Sequence, residues 1–259
     1  MVRDQKEREF AHITRSVDTI VSSSVPNYFD SQRFGSVIDR VIVGKKVELK
    51  DYERAVKQYL TAYQKSRSRR IKDEERRILS SWNDLTSVQV YNKAFNLVIR
   101  EYLKSKDWLS ACRKIPVYLR EIDLNAYQSF HLNECVKEIV KNSIEKKKLF
   151  SVEYAVGSLL FYTNLSEQEH KRIPKILQTI SDEMTFTDDE QLVVNHVLAK
   201  EGLWSIDFNI MDKTENFFKT RMRQVLLIPT DFMISKPRKD EIISKSSLEF
   251  TKSRCHFQC

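Results

Sequence analysis

Only four glycines and five prolines punctuate the 259 residues of this chain. Sheet-rich folds turn often, and most tight turns take Gly or Pro. Helix must therefore dominate, with room left for short strands: an α+β protein, helix-dominated. The length is enough for one large core or two modest ones.

Apolar pairs repeated one turn apart support this. Val37-Ile38 with Val41-Ile42 form one helical stripe, which Gly44-Lys45-Lys46 is expected to break. Asp51 suits the N-cap of a second helix carrying Tyr52, Ala55, Val56, Tyr59 and Leu60. Similar stripes appear at Val98-Ile99 with Tyr102-Leu103, Ile139-Val140 with Ile144, and Val193-Val194 with Val197-Leu198. Their spacing is irregular, so they are separate amphipathic helices and not a solenoid repeat. Thr86 with Gln89, Ser166 with Glu169 and Thr187 with Glu190 read as capping boxes. Pro116 and Pro174 should end or kink helices. Phe10–Val21 fits either a helix or a strand, and so does Val225–Pro229. Beyond Ser235 the chain is a Ser- and Lys-rich tail. Trp82, Trp108 and Trp204 read as core.

The net charge of +8 favours a polyanionic partner or a merely soluble surface. Lys65 to Arg77 concentrates seven bases against three acids. Lys65, Arg67, Arg69, Arg70, Lys72, Arg76 and Arg77 could meet phosphates. A solvated helix with internal ion pairs explains them equally well. Lys146-Lys147-Lys148 reads as a wet helix end. Asp188-Asp189-Glu190 is accounted for by the dipole of a helix start.

His131 and Cys135 stand one helical turn apart, but without a second ligand pair they do not make a metal site. Cys255 and Cys259 lack zinc spacing. Cys112 and Cys135 sit among helical apolar residues and read as buried hydrophobes. No secretory signal or membrane-length apolar run is visible, so a reducing, cytoplasmic setting is expected. A Gly-rich phosphate loop, Gly-x-Ser-x-Gly and His-Glu-x-x-His are all missing.

The stretch with the strongest chemistry is Val25-Pro26-Asn27-Tyr28-Phe29-Asp30-Ser31-Gln32-Arg33-Phe34-Gly35. A ring to stack on a base, amides for its edge and a guanidinium for phosphate suit a loop that holds an unpaired nucleobase. The alternative is that its aromatics anchor the loop in the core while its amides cap helices. The stretch closely resembles a signature loop of the TruD family of tRNA pseudouridine synthases. Three further pieces resemble that family in the same order. They are Gly44 with Asp51–Leu60, then Ala126-Tyr127-Gln128-Ser129-Phe130-His131-Leu132-Asn133-Glu134, then Glu201-Gly202 with Phe217–Arg223 and Ile228–Phe232.

The resemblance implies isomerisation of a uridine in tRNA to pseudouridine, with no cofactor. It implies a partial pseudouridine synthase catalytic fold at 1–45, a mostly helical TruD-type inserted domain at 46–234 and a tail at 235–259. Phe29 would stack on or near the target base, Asn27 would position it or the catalytic Asp, and Gln32 and Arg33 would hold the loop or a phosphate. Arg221 and Arg223 would be phosphate contacts, while Tyr127, Gln128 and Asn133 would serve structure. The family's catalytic Asp lies in a Gly-x-Lys-Asp motif that does not occur in this sequence, so a truncated or divergent member is expected. Two other readings stay open: a non-catalytic RNA-binding derivative, and a helical scaffold that binds protein.

Overall fold

The computed structural model describes residues 24–37, 40–62, 68–181, 185–203 and 218–228. The chain divides into two compact units, Pro26–Val225 and the pair of end segments Met1–Val25 with Leu226–Cys259. In chain order the elements are a strand Val25–Pro26 (β1), helices Val43–Glu48 (α1), Tyr52–Ala62 (α2), Arg69–Ser80 (α3), Lys93–Ser105 (α4), Trp108–Arg113 (α5) and Val117–Ser143 (α6). Strands Leu149–Tyr154 (β2) and Gly157–Tyr162 (β3), helix Glu167–Arg172 (α7), strand Ile176–Gln178 (β4), helix Asp188–Lys200 (α8) and strands Met222–Gln224 (β5) and Leu226–Leu227 (β6) follow.

The 27-residue α6 organises the larger unit. Val117, Tyr118 and Ile122 near its start are exposed, but from Leu124 onward Leu124, Tyr127, Leu132, Cys135, Val136, Ile139 and Val140 are buried. Buried polar groups accompany them around the helix, which is how a helix looks when neighbours surround it. Helices α1, α7 and α8, strand β3 and the 3-10 turn Ser31–Phe34 all pack on it. A second layer grows from α1 through α2 to α3 and α5, with α4 against α5. Among the described residues no helix is long and apolar enough to cross a membrane.

Most local signals that act within one turn formed as read. Asp51 accepts from the Arg54 N–H at 3.3 Å, and Ala55, Val56, Tyr59 and Leu60 of α2 are buried. Both sides of the Ser166/Glu169 and Thr187/Glu190 boxes are made. Glu169 does more than cap α7, because it also takes a bond from Lys148 at 2.7 Å and one from the Glu145 N–H at 3.1 Å. The Lys148 ammonium and those backbone donors hold its carboxyl down to about 2. Lys148 is thus a largely buried ion-pair partner, whereas Lys147 pairs with Glu145 at 2.8 Å on the exposed surface. Pro116 caps the start of α6, and α7 ends before Pro174.

Four expectations are corrected. No helix runs from 37 to 42 where it is described: Val37 is irregular and Arg40 has φ 64°. Gly44 is not a helix stop but lies inside α1. A Cβ there would fall 2.9 Å from the Asp123 carbonyl carbon and 3.0 Å from the Tyr127 Cβ, so Gly44 is what lets α1 touch α6. Thr86 starts no α-helix; Asp84 caps a single 3-10 turn, Leu85–Ser87, and α4 begins after Asn92 instead. Trp82 and Trp108 are only half-buried. They stack on each other at 5.3 Å, Tyr102 lies 3.6 Å from Trp108, and the Trp82 indole donates to Glu53 at 3.0 Å.

The hairpin β2–β3, with Leu149 opposite Tyr162 and Tyr154 opposite Gly157, is an element that helical periodicity did not show. In the smaller unit, Leu226–Leu227 is strand, one of the two alternatives for that apolar run. Phe10–Val21, Trp204 and the tail beyond Ser235 lie outside the described residues.

Candidate nucleic-acid interface

The loop after Pro26 is nailed down at several points. The Asn27 N–H donates to the Val225 carbonyl at 2.8 Å. Asn133, buried on α6, forms a two-way clamp on Phe29: its Oδ1 accepts the Phe29 N–H at 2.7 Å and its Nδ2 donates to the Phe29 carbonyl at 3.0 Å. The Tyr28 hydroxyl donates to the Leu160 carbonyl at 2.8 Å, and its ring meets Phe161 edge-on at 5.5 Å. Phe34 is buried against Tyr154. Asp30 then caps the 3-10 turn by accepting the Gln32 N–H. Part of the loop does anchor in the core: Phe34 belongs to a buried cluster with Ile42, Ala126 and Tyr127, Phe29 packs half-buried against that cluster, and Tyr28 is held by its bond to Leu160. That anchoring holds Phe29 in place without hiding it.

Phe29 is half-buried, and its ring carries two guanidinium groups. Arg223 lies 4.0 Å from the ring centroid and Arg33 5.0 Å. Arg223 projects from β5, which pairs antiparallel with β4 and places Leu177 opposite it. Its Nη2 donates to Asn27 Oδ1 at 3.1 Å, across 196 positions of sequence. Asn27 spends its Nδ2 on the Gln224 carbonyl at 2.7 Å. Burial, then the nearby charges of Arg33 and Arg221, lower the pKa of Arg223 from its ordinary value. Its Nε is buried without a hydrogen-bond partner. Among the described residues no carboxylate pairs with Arg33, Arg221 or Arg223.

Arg33 and Arg223 share one ring and Arg221 adds its charge nearby, so the three repel each other and an anion placed among them relieves the repulsion. The arrangement can therefore hold phosphate, with Phe29 as a platform for the guanidinium groups. Asn27 orients Arg223. Gln32 is exposed at the rim. Of the residues the sequence singled out in two distant stretches, the fold brings Asn27, Phe29 and Arg33 to Arg223, with Arg221 a nearby charge and Gln32 exposed on the same 3-10 turn as Arg33.

The basic run at 65–77 has a different setting. Lys65 and Arg67 lie outside the described residues. Lys72 and Arg76 are exposed on α3, and Arg76 is paired with Asp73 at 2.6 Å. Arg69, Arg70 and Arg77 line an open depression of about 440 Å³ together with Asp73 and Tyr91. Tyr91 was missed in the sequence; its signal would have been a lone aromatic just before the Asn92 cap of α4.

The three polar residues of α6 read as structural bond inside the protein. Gln128 Nε2 donates to the carbonyls of Ile180 and Lys219, and the Tyr127 hydroxyl donates to Glu201, which Lys45 also reaches at 2.8 Å. His131 and Cys135 are both fully buried on α6.

A family model described as tRNA pseudouridine synthase D (TruD) matches residues 1–251. "Probable tRNA pseudouridine synthase D 1" of Methanococcus maripaludis is 32% identical over 254 residues, covering 94% of this chain and 64% of that protein. "Probable tRNA pseudouridine synthase D 2" of Methanocaldococcus jannaschii is 32% identical over 260 residues, covering 97% and 61%. The crystal structure of a TruD protein from Methanosarcina mazei aligns with a TM-score of 0.58 at 21% identity, over 86% of this chain and 56% of that one; it supports the fold alone. The chain spans about three-fifths of the length of the curated relatives it matches.

Proposed function

Because this chain belongs to the TruD family of tRNA pseudouridine synthases, we propose that it serves the isomerisation of a uridine in tRNA to pseudouridine. In that reaction the bond from C1′ to N1 breaks, a bond from C1′ to C5 forms, the proton of C5 leaves to water, and N1 takes up a proton from water. The uracil must leave the stack and turn over while its sugar and phosphates stay held. Arg33, Arg221 and Arg223 take the phosphates in this reading, Phe29 and Asn27 keep Arg223 aimed, and Gln32 meets a base edge. No residue of this chain is assigned the attack on the ribose–base linkage. We place the reaction in the cytoplasm because its substrate is tRNA.

The observation that carries the proposal is the convergence of Arg223 with Asn27, Phe29 and Arg33 around one ring, with no acid among the described residues to neutralise it. The test uses the full chain with tRNA carrying tritium at C5 of uridine. Tritium release reports the isomerisation, and filter binding reports the grip. Arg33→Gln with Arg223→Gln is expected to weaken binding at least tenfold, since charge-assisted hydrogen bonds contribute about 1.5–3 kcal/mol each. Binding without tritium release would assign the chain the grip alone. Failure to bind tRNA even at low salt would overturn the proposal.

A further inference from the structure

The depression on α3 has features that a solvated basic helix does not need. Tyr91 is 60% exposed, and its ring stands between that depression and a second one of about 330 Å³ lined by Val88, Gln89, Val90, Asn96 and Arg100. The backbone that carries the ring is pinned. Glu74, buried on α3, accepts the N–H groups of Tyr91 at 2.9 Å and Asn92 at 2.8 Å, and the Tyr91 hydroxyl donates to Gln89 at 3.0 Å.

Arg70 and Arg77 each lie over the ring with their guanidinium carbons 6.0 Å from its centroid, at the outer reach of a cation–π contact. Asp73, the one acid in the lining, is already bonded to Arg76. Arg69, Arg70 and Arg77 share the depression with this ring and have no carboxylate partner among the described residues.

We infer that this depression takes a second, unpaired nucleotide of RNA, with its base stacked on Tyr91 and its adjoining phosphates on Arg69, Arg70 and Arg77. The inference rests on the RNA-binding reading above and adds a subsite to it. An exposed ring beside arginines is the combination that single-stranded nucleic acid uses: stacking for any base, guanidinium for the backbone. A double helix keeps its bases stacked inside and offers the ring nothing.

The probe is a short fluorescent oligouridylate, with a duplex RNA of equal length and tRNA alongside, titrated into the full chain. Tyr91→Ala is expected to weaken oligouridylate binding about tenfold, while Tyr91→Phe, which keeps the ring, stays as wild type. Arg70→Gln with Arg77→Gln is expected to flatten the dependence of log affinity on log salt by about 1.4, two phosphate contacts' worth. Thermal unfolding of Tyr91→Ala should be unchanged, because the Glu74 bonds go to backbone. Wild-type affinity in Tyr91→Ala, or an equal loss on the duplex, overturns the inference. If Arg223→Gln weakens tRNA binding while Tyr91→Ala does not, only this subsite fails. If the wild type binds no RNA, the parent reading fails as well.

Discussion

His131 carries an imidazole with neither ring nitrogen hydrogen-bonded, fully buried on α6 with its ring 4.2 Å from Tyr127. Burial, then the charge of Lys45, pushes its pKa down to about 3. The unfolded chain takes up that proton near its ordinary value of about 6.5, so stability is complete above that value and drains away as pH falls toward 3. Between pH 7.5 and pH 5 the loss from this group is about 2 kcal/mol. His131→Leu removes the titration and the unbonded nitrogens together. Urea unfolding should then find the variant more stable than wild type at pH 5, with a flatter profile; an unchanged profile would refute the argument. The chemistry of single residues was legible to this extent: Tyr127, Gln128 and Asn133 read as structural, and Gln128 and Asn133 bond to backbone while Tyr127 bonds to the Glu201 side chain. Asn27 was read by its own amide, and nothing nearby announced that Arg223 would claim its oxygen.

Elements were visible where their signals are local. A cap acts across three residues, so Ser166/Glu169 and Thr187/Glu190 could be read directly. Thr86/Gln89 has the same spacing, yet Asp84 outcompetes Thr86 by accepting both its N–H and its hydroxyl. The hairpin was missed because helical stripes were the pattern sought. Its signal was the alternating Phe150, Val152 and Tyr154 ahead of Gly157, whose φ of 152° few other residues adopt. Gly44 teaches the most. A glycine ends helices so often that it was read as a stop, but its partner is the α6 backbone at Asp123, which lies far along the chain. Gly44→Ala drives a methyl into that backbone, which cannot swing aside as a side chain would. It should cost about 3 kcal/mol or more in denaturant unfolding. A cost below about 0.5 kcal/mol, the ordinary range for a surface change, would mean that α1 and α6 are not in such close contact.

At the scale of the whole molecule, the net charge of +8 left a polyanionic partner and a merely soluble surface equally open, and did not say where a partner would sit. If Arg33, Arg221, Arg223, Arg69, Arg70 and Arg77 each meet one phosphate, log affinity for tRNA should fall against log salt with a slope of about −4. A slope near zero would show that phosphate contacts do not carry the binding. By itself the sequence determined the helix-dominated α+β class, most of the caps, the kinship to a family and the residue types of the loop. All of these rest on interactions within a few positions or on composition. Only the tertiary structure decided that Arg223 lies over Phe29 and that Tyr91 stands among the arginines of α3. Those neighbours exist because buried groups on remote segments, Asn133 for the loop and Glu74 for Tyr91, bond to backbone and hold it in place. No local pattern in the chain encodes such a meeting.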